Sequence, residues 1–417
     1  MPQILKLLAL LLLFYCACNM PAPEQAKANQ TVQAESVGLS TYSLHRMDSY
    51  MHRLVDSGQL AGIQTAIIRK GQLAHFDSYG YANIAEGKAL DEQNIFRIFS
   101  MTKPIVSVGL MQLYEAGKLD LEAPLHIYLP EFREMKVYSD SALVAASEPI
   151  QIIDLLRHTS GFSYGRTPFE GLNRLYAEAD LNASATNEEF VDKLSTLPLQ
   201  FEPGSDWQYG LSTNICGRLI EVLSGQSLKD YLYGHVLEPL GMHDTHFQLP
   251  TEKVDRFTVG YQWSEENGLT IAEAQNDNRY VQEVTLFNGG GGLVSTTLDY
   301  LKFCQMILNK GSLNGHRILD GETVDLMLQD HLHEVRVFQD RIRLPPGEAS
   351  FGLGFAIRGN EDGELEPVFG WGGAVGTYFK IDTQHDIAYV MMIQLSPYRQ
   401  LGLRQVFQDF VESAIID

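Results

Sequence analysis

Ser100-Met101-Thr102-Lys103 sets a hydroxyl and an amine three residues apart, on one face if the segment is helical. Pro104 follows at once, then Ile105-Val106-Ser107-Val108-Gly109-Leu110-Met111, which is apolar on nearly every side. Proline is tolerated only in a first helical turn, so a buried helix should begin at or beside Ser100. An ammonium there is costly to keep charged, and both burial and the positive helix end should push its pKa down. A partly neutral amine can accept the proton of a neighbouring hydroxyl, which activates a nucleophile without histidine. Spacing alone is a weak signal, because chance supplies about one Ser-x-x-Lys in a chain this long. Here Ser100 is the only serine with a lysine three residues on.

Two further segments could complete such a site. Tyr209 lies in Trp207-Gln208-Tyr209-Gly210, after Phe201-Glu202-Pro203-Gly204 and just before an apolar helical stretch from about 212 to 223. A phenol so placed can project into a cleft and take a proton as the phenolate. A core tyrosine with its hydroxyl satisfied is the other reading. Phe369-Gly370-Trp371-Gly372-Gly373-Ala374-Val375-Gly376-Thr377 is dense in glycine. Backbone there can approach a ligand closely, and a free N–H could join that of Ser100 in holding an oxyanion. A tight strand connection explains the glycines equally well. Asp330-His331-Leu332-His333-Glu334 reads as a solvated loop, since histidines two apart do not share a helical face. Asn276-Asp277-Asn278 reads as a surface turn. No metal site, dinucleotide fingerprint or cofactor is expected.

The elements that must position these groups follow from periodicity. Leu44, Met47, Met51, Leu54 and Val55 recur at helical spacing over 41–58. Strands are predicted at 62–68 and 73–81, joined by Arg69-Lys70-Gly71-Gln72. Further strands are predicted over 351–358, 376–382 and 387–394, and a last amphipathic helix over about 400–415. The middle, from about 100 to 245, is mostly helical, with apolar periodicity in 104–116, 150–157, 187–195 and 212–223. Consecutive hairpins favour an antiparallel sheet. The expected fold is α/β (α+β): an antiparallel sheet flanked by helices, built from 41–95 and 285–417, with an inserted all-helical subdomain over 96–284. The cleft between the two parts is the expected site.

The whole chain has 417 residues, 45% hydrophobic and 20% charged, with a formal net charge of -21. That is ordinary globular composition. Its acidic field disfavours nucleic acid and anionic membrane surfaces as partners. Lys6 and the apolar run from Leu7 to Cys18 read as a secretion signal over 1–18, too short for a comfortable membrane span. Ala17-Cys18 resembles the junction cut in bacterial lipoproteins, with Tyr15 where a small aliphatic residue is usual. The alternative is later cleavage after Ala26-Lys27-Ala28. Export is therefore expected, to the periplasm or to a lipid anchor at Cys18, with 19–40 as a flexible tether. Cys216 and Cys304 read as two buried thiols rather than part of a disulfide framework.

Taken together and in order, these segments resemble the serine beta-lactamase and penicillin-binding superfamily, in particular its class C branch and the beta-lactamase-like carboxylesterases of family VIII. Leu155-Leu156-Arg157-His158-Thr159-Ser160-Gly161-Phe162 and Gly289-Gly290-Gly291-Gly292-Leu293-Val294-Ser295-Thr296-Thr297 look like two more of its stretches. The resemblance covers about residues 45 to 415. It implies a beta-lactamase-like fold, with Ser100 as acylated nucleophile, Lys103 as its amine partner and Tyr209 as the general base of acylation, alone or jointly with Lys103. Ser100 and Ala374 would then supply the oxyanion N–H groups, and Trp371, Gly372 and Gly373 would line the substrate. Two departures matter. Where beta-lactamases and peptidases have Lys or His, then Thr or Ser, then Gly, this chain has Trp371-Gly372-Gly373, as the esterases do. The asparagine of their Y-x-N is Leu211. Those missing groups help bind a carboxylate and orient a lactam amide, so both losses point towards neutral esters. The expected function is ester hydrolysis of small molecules through an acyl-enzyme. A beta-lactamase or D-alanyl-D-alanine carboxypeptidase is the alternative, and a non-catalytic envelope binding protein a third reading.

Overall fold

A computed structural model describes residues 31–139, 142–276, 278–333, 335, 344–360 and 362–416. The expected signal peptide, Cys18 and most of the tether lie outside the described residues. Eight strands form one antiparallel sheet, in the order Glu348–Phe351, Ala356–Gly359, Leu365–Gly372, Tyr378–Asp382, Ile387–Met392, Gly62–Arg69, Gln72–Asn83 and Lys88–Ala89. The two ends of the chain meet in its middle, where Thr65 lies opposite Met391 and Ile67 opposite Tyr389.

Alternation places this sheet between two helical layers. Ile387, Tyr389 and Met391 face one core with Ile63 and Ile67. That core is covered by the helices Thr41–Asp56 and Leu403–Ala414 through Leu44, Met47, Met51, Phe407 and Val411. Ala388, Val390 and Met392 face the other core with Phe379 and Ile381, against Tyr300 and Phe303 of Thr297–Leu308. Each fully buried aliphatic or aromatic side chain here contributes roughly 1.5–3 kcal/mol by leaving water. Because both faces are covered, Ile387–Met392 reads as an unbroken apolar run.

The middle of the chain carries Thr102–Glu115, Ile152–Leu156, Glu170–Glu178, Asn187–Ser195 and Ser212–Ser224. It is not all helical. Lys136–Ser139 pairs with Ala142–Ala145, and Gly260–Ser264 pairs with Gly268–Glu273 and with Leu395–Ser396 from the far end of the chain. Three other expectations need correction. The predicted strand over 351–358 is two strands separated by a turn. Leu365–Gly372, unforeseen, carries Trp371 inside the sheet, paired with Phe379. Residues 32–40 are not a tether. The Val32 N–H donates to the Leu73 carbonyl at 3.0 Å, and Val37 and Leu39 bury their side chains beside the terminal helices. Cys216 and Cys304 are free and buried.

Candidate active site

Ser100 sits in a single 3-10 turn, Phe99–Met101, directly ahead of Thr102–Glu115. Phe99 has a φ of 42°, in the left-handed region that non-glycine residues seldom occupy. Such local strain persists only where packing fixes it. Here Tyr300 donates its hydroxyl hydrogen to the Met101 carbonyl at 2.8 Å, and the Leu293 N–H donates to Thr102 Oγ1 at 3.1 Å.

Lys103 is 2% exposed. Its Nζ donates to the Gly290 carbonyl at 2.6 Å and to the Tyr164 hydroxyl at 2.9 Å, and lies 4.7 Å from the centre of the Tyr209 ring. The expected fall in its pKa is not found. Burial does disfavour the ammonium, but the oxygens of Tyr164 and Tyr209 outweigh it and raise the pKa to about 12.

Tyr209 lies just before Ser212–Ser224. Its hydroxyl oxygen accepts the Trp371 indole N–H at 3.0 Å, with the two ring centroids 4.9 Å apart. Gly210 lets this loop lie flat on its neighbour, because a Cβ there would collide with the Phe162 carbonyl. That neighbour is the Leu155–Phe162 segment. Asp154 accepts from Thr159 Oγ1 at 2.6 Å and from Arg157 at 3.0 Å, and the Gln208 N–H donates to the His158 carbonyl at 3.0 Å. The segment's chemistry is thus structural: it shapes the loop that delivers Tyr164. His158 lies behind Tyr209, fully buried, with its imidazole held well below its usual pKa by burial and then by the Lys103 charge.

The glycine run has a comparable use. Asn288 Oδ1 accepts from the Gly290 N–H and from Asn214 Nδ2, each at 2.9 Å, and the Asn288 carbonyl accepts from the Gly292 N–H at 2.8 Å. The turn that results aims the Gly290 carbonyl at Lys103. A Cβ at Gly290 would strike Asn214 Oδ1. Leu211 itself is buried, and the nearest asparagine, Asn214, serves this turn.

Trp371 and Gly372 end the strand Leu365–Gly372, and Gly373 opens the turn that returns at Thr377. Trp371 is 7% exposed, with its only side-chain N–H committed to Tyr209. Gly373 packs on the Ile98 carbonyl, where a Cβ would not fit. The turn therefore lies against the segment that carries Ser100. Ala374 is exposed at its tip, and among the described residues no acceptor takes the N–H of Ala374 or of Ser100.

The structure thus brings Lys103, Tyr209 and Trp371 together and lays the Ala374 turn against the Ser100 segment. Sequence reasoning missed Tyr164, the Gly290 carbonyl and Arg404, whose guanidinium supports Gly373. Tyr164 stands two residues after the Thr-Ser-Gly-Phe text, which was the available signal. Nothing local marks the other two.

Comparison with known proteins identifies the family. The beta-lactamase family profile matches residues 47–407, and the chain belongs to that family. It is 30% identical over 361 residues to an uncharacterized protein of Mycobacterium tuberculosis, covering 83% of this chain and 89% of that one. It is 32% identical over 222 residues to esterase EstB of Burkholderia gladioli, covering 52% and 54% of the two chains. A LovD6 mutant of simvastatin synthase from Aspergillus terreus superimposes with a TM-score of 0.76 at 25% identity, over 90% of this chain and 97% of that one. The antiparallel sheet and its helices are the beta-lactamase-like fold, and the protein is a serine hydrolase of that kind.

Proposed function

We propose that this member of the beta-lactamase family is a carboxylesterase for small neutral esters, working through an acyl-enzyme on Ser100. Ser100 Oγ attacks the ester carbonyl carbon while its proton passes to the Tyr209 phenolate oxygen. The Trp371 N–H donates to that oxygen, and Lys103 Nζ lies 4.7 Å from the centre of the same ring. The C–O bond to the alcohol then breaks, and the alcohol leaves with the proton held by Tyr209. Water attacks the acyl-enzyme by the same route in reverse, releasing the acid and free Ser100. The N–H groups of Ser100 and Ala374 hold the oxyanion in both halves.

The observation that carries the preference for neutral esters is the Trp371 indole. It fills the place of a cationic side chain, and its N–H is spent on Tyr209. A substrate carboxylate facing it would lose water without gaining an ion pair, at a cost of several kcal/mol. The likeness to esterase EstB supports the same reading. Export with a lipid anchor at Cys18 belongs to the proposal, on the strength of the apolar N-terminal run alone.

Ser100→Ala should abolish turnover of nitrophenyl acetate and butyrate while leaving the melting temperature unchanged. Undiminished hydrolysis would refute the assignment. Nitrocefin run beside an ester chain-length panel tests the substrate class. Rapid turnover at low nitrocefin concentration would instead favour a beta-lactamase or D-alanyl-D-alanine carboxypeptidase.

A further inference from the structure

Arg404 stands in the first turn of the C-terminal helix Leu403–Ala414, far in sequence from every motif considered above. Its guanidinium runs beneath the Trp371-Gly372-Gly373 segment. Nη2 donates to the Gly373 carbonyl at 2.6 Å and to the Thr377 carbonyl at 3.0 Å. The rings of Tyr398 and Tyr378 flank it, with centroids 4.4 and 5.5 Å from Cζ. Among the described residues no carboxylate pairs with it, and Nε is buried without an acceptor. A buried guanidinium without a counter-charge does not help a fold. Such a breach of local rules belongs at functional sites.

The position of its acceptor is informative. The Gly373 carbonyl and the Ala374 N–H are the two ends of one peptide group. A charged donor on the oxygen draws electron density towards it and makes the N–H a stronger donor, as in any chain of hydrogen bonds. The same guanidinium ties the turn shut. The Gly373 N–H donates to the Thr377 carbonyl at 2.9 Å, and that oxygen is the second acceptor of Arg404. Gly372 fits the arrangement, since a Cβ there would collide with the guanidinium.

We infer that Arg404 is the positioning residue of the oxyanion hole: it fixes the Gly373–Thr377 turn and polarises the Gly373–Ala374 peptide towards the oxyanion. No bond is made or broken at Arg404, and no proton leaves it. The inference rests on the acyl-enzyme reading of Ser100 and Ala374 given above.

The test uses the full-length enzyme and nitrophenyl butyrate, with Arg404→Met and Arg404→Lys. We expect kcat to fall about 10- to 100-fold, less than the roughly 100- to 1,000-fold that removing an oxyanion donor outright costs, with KM within about 3-fold of the parent. Affinity for an alkylboronic acid, which mimics the tetrahedral adduct on Ser100, should fall in step with kcat/KM. The infrared carbonyl stretch of the acyl-enzyme should move to higher frequency as its hydrogen bond weakens. A purely structural role would not make these readouts move together. Unchanged kcat, a loss confined to KM, or a carbonyl band at the parent frequency would overturn the inference. Should Arg404→Met fail to fold, Gly372→Ala displaces the guanidinium without deleting it and gives the same readouts. Ser100→Ala, measured alongside, separates the two claims. If it retains turnover, the active-site reading itself fails. If it is inactive while the Arg404 variants behave as the parent, only the role of Arg404 is lost.

Discussion

The Trp371 indole N–H donates to the Tyr209 oxygen at 3.0 Å, so the side chain that stands where beta-lactamases carry a cation is engaged with the phenol. Trp371→Phe keeps an aromatic ring against Phe351 and Tyr209 but removes the donor. A hydrogen bond to a charged oxygen is worth about 1.5–3 kcal/mol, so kcat for nitrophenyl esters should fall about 10- to 100-fold. KM should change little, because ground-state contacts survive. Steady-state kinetics decide the matter, and a loss confined to KM would place Trp371 in substrate binding instead.

Tyr164 →Phe isolates the second phenol. Tyr164 is 40% exposed and presents its hydroxyl to Lys103 at 2.9 Å. The tyrosine oxygens raise the Lys103 pKa against burial, so deleting one of them lowers it. The ammonium is then lost at lower pH, and the alkaline limb of the kcat profile should move down from its parent position. An unmoved limb, with activity otherwise normal, would mean that Lys103 does not govern that limb.

How far the sequence could be read depended on whether the signal was local. The Ser100–Lys103 spacing, the buried helix behind it and the position of Tyr209 before Ser212–Ser224 are all local, and each was legible. The pKa of Lys103 was read in the wrong direction, because its two tyrosine partners come from 61 and 106 residues further along the chain. The strand Leu365–Gly372 was missed because its glycines resemble a loop. Its pairing with Tyr378–Asp382 supplies what propensity lacks. Arg404 was invisible because nothing in Leu403–Ala414 indicates which carbonyls its first turn will reach.

Gly290→Ala tests the aim of the glycine turn. The new methyl group strikes Asn214 Oδ1, so the turn must shift and draw the carbonyl off Lys103. Activity should fall by about 10-fold or more, the loss of a charge-assisted hydrogen bond in a buried site. Adding Asn214→Ala relieves the collision and should restore part of the loss. Additive losses in the double variant would show that the two residues are uncoupled.

Acid should weaken the fold through His246. Burial, and then the charge of Lys253 at 3.2 Å, lower its pKa from the usual 6.5 to about 4. Between those values the unfolded chain binds a proton that the native imidazole refuses, so stability is lost as pH falls from about 6.5 towards 4. His158, neutral for the same first reason, acts in the same direction. His52 opposes them. Its pairing with Asp77 at 2.8 Å raises its pKa despite burial, so its contribution is present in acid and lost as pH rises through the raised value. His246→Gln should therefore flatten the fall in melting temperature between pH 6.5 and 4, by removing one of the imidazoles that drive it, the others being His158 and His331. A parallel shift of the whole curve, with its slope unchanged, would show that His246 does not titrate in that window.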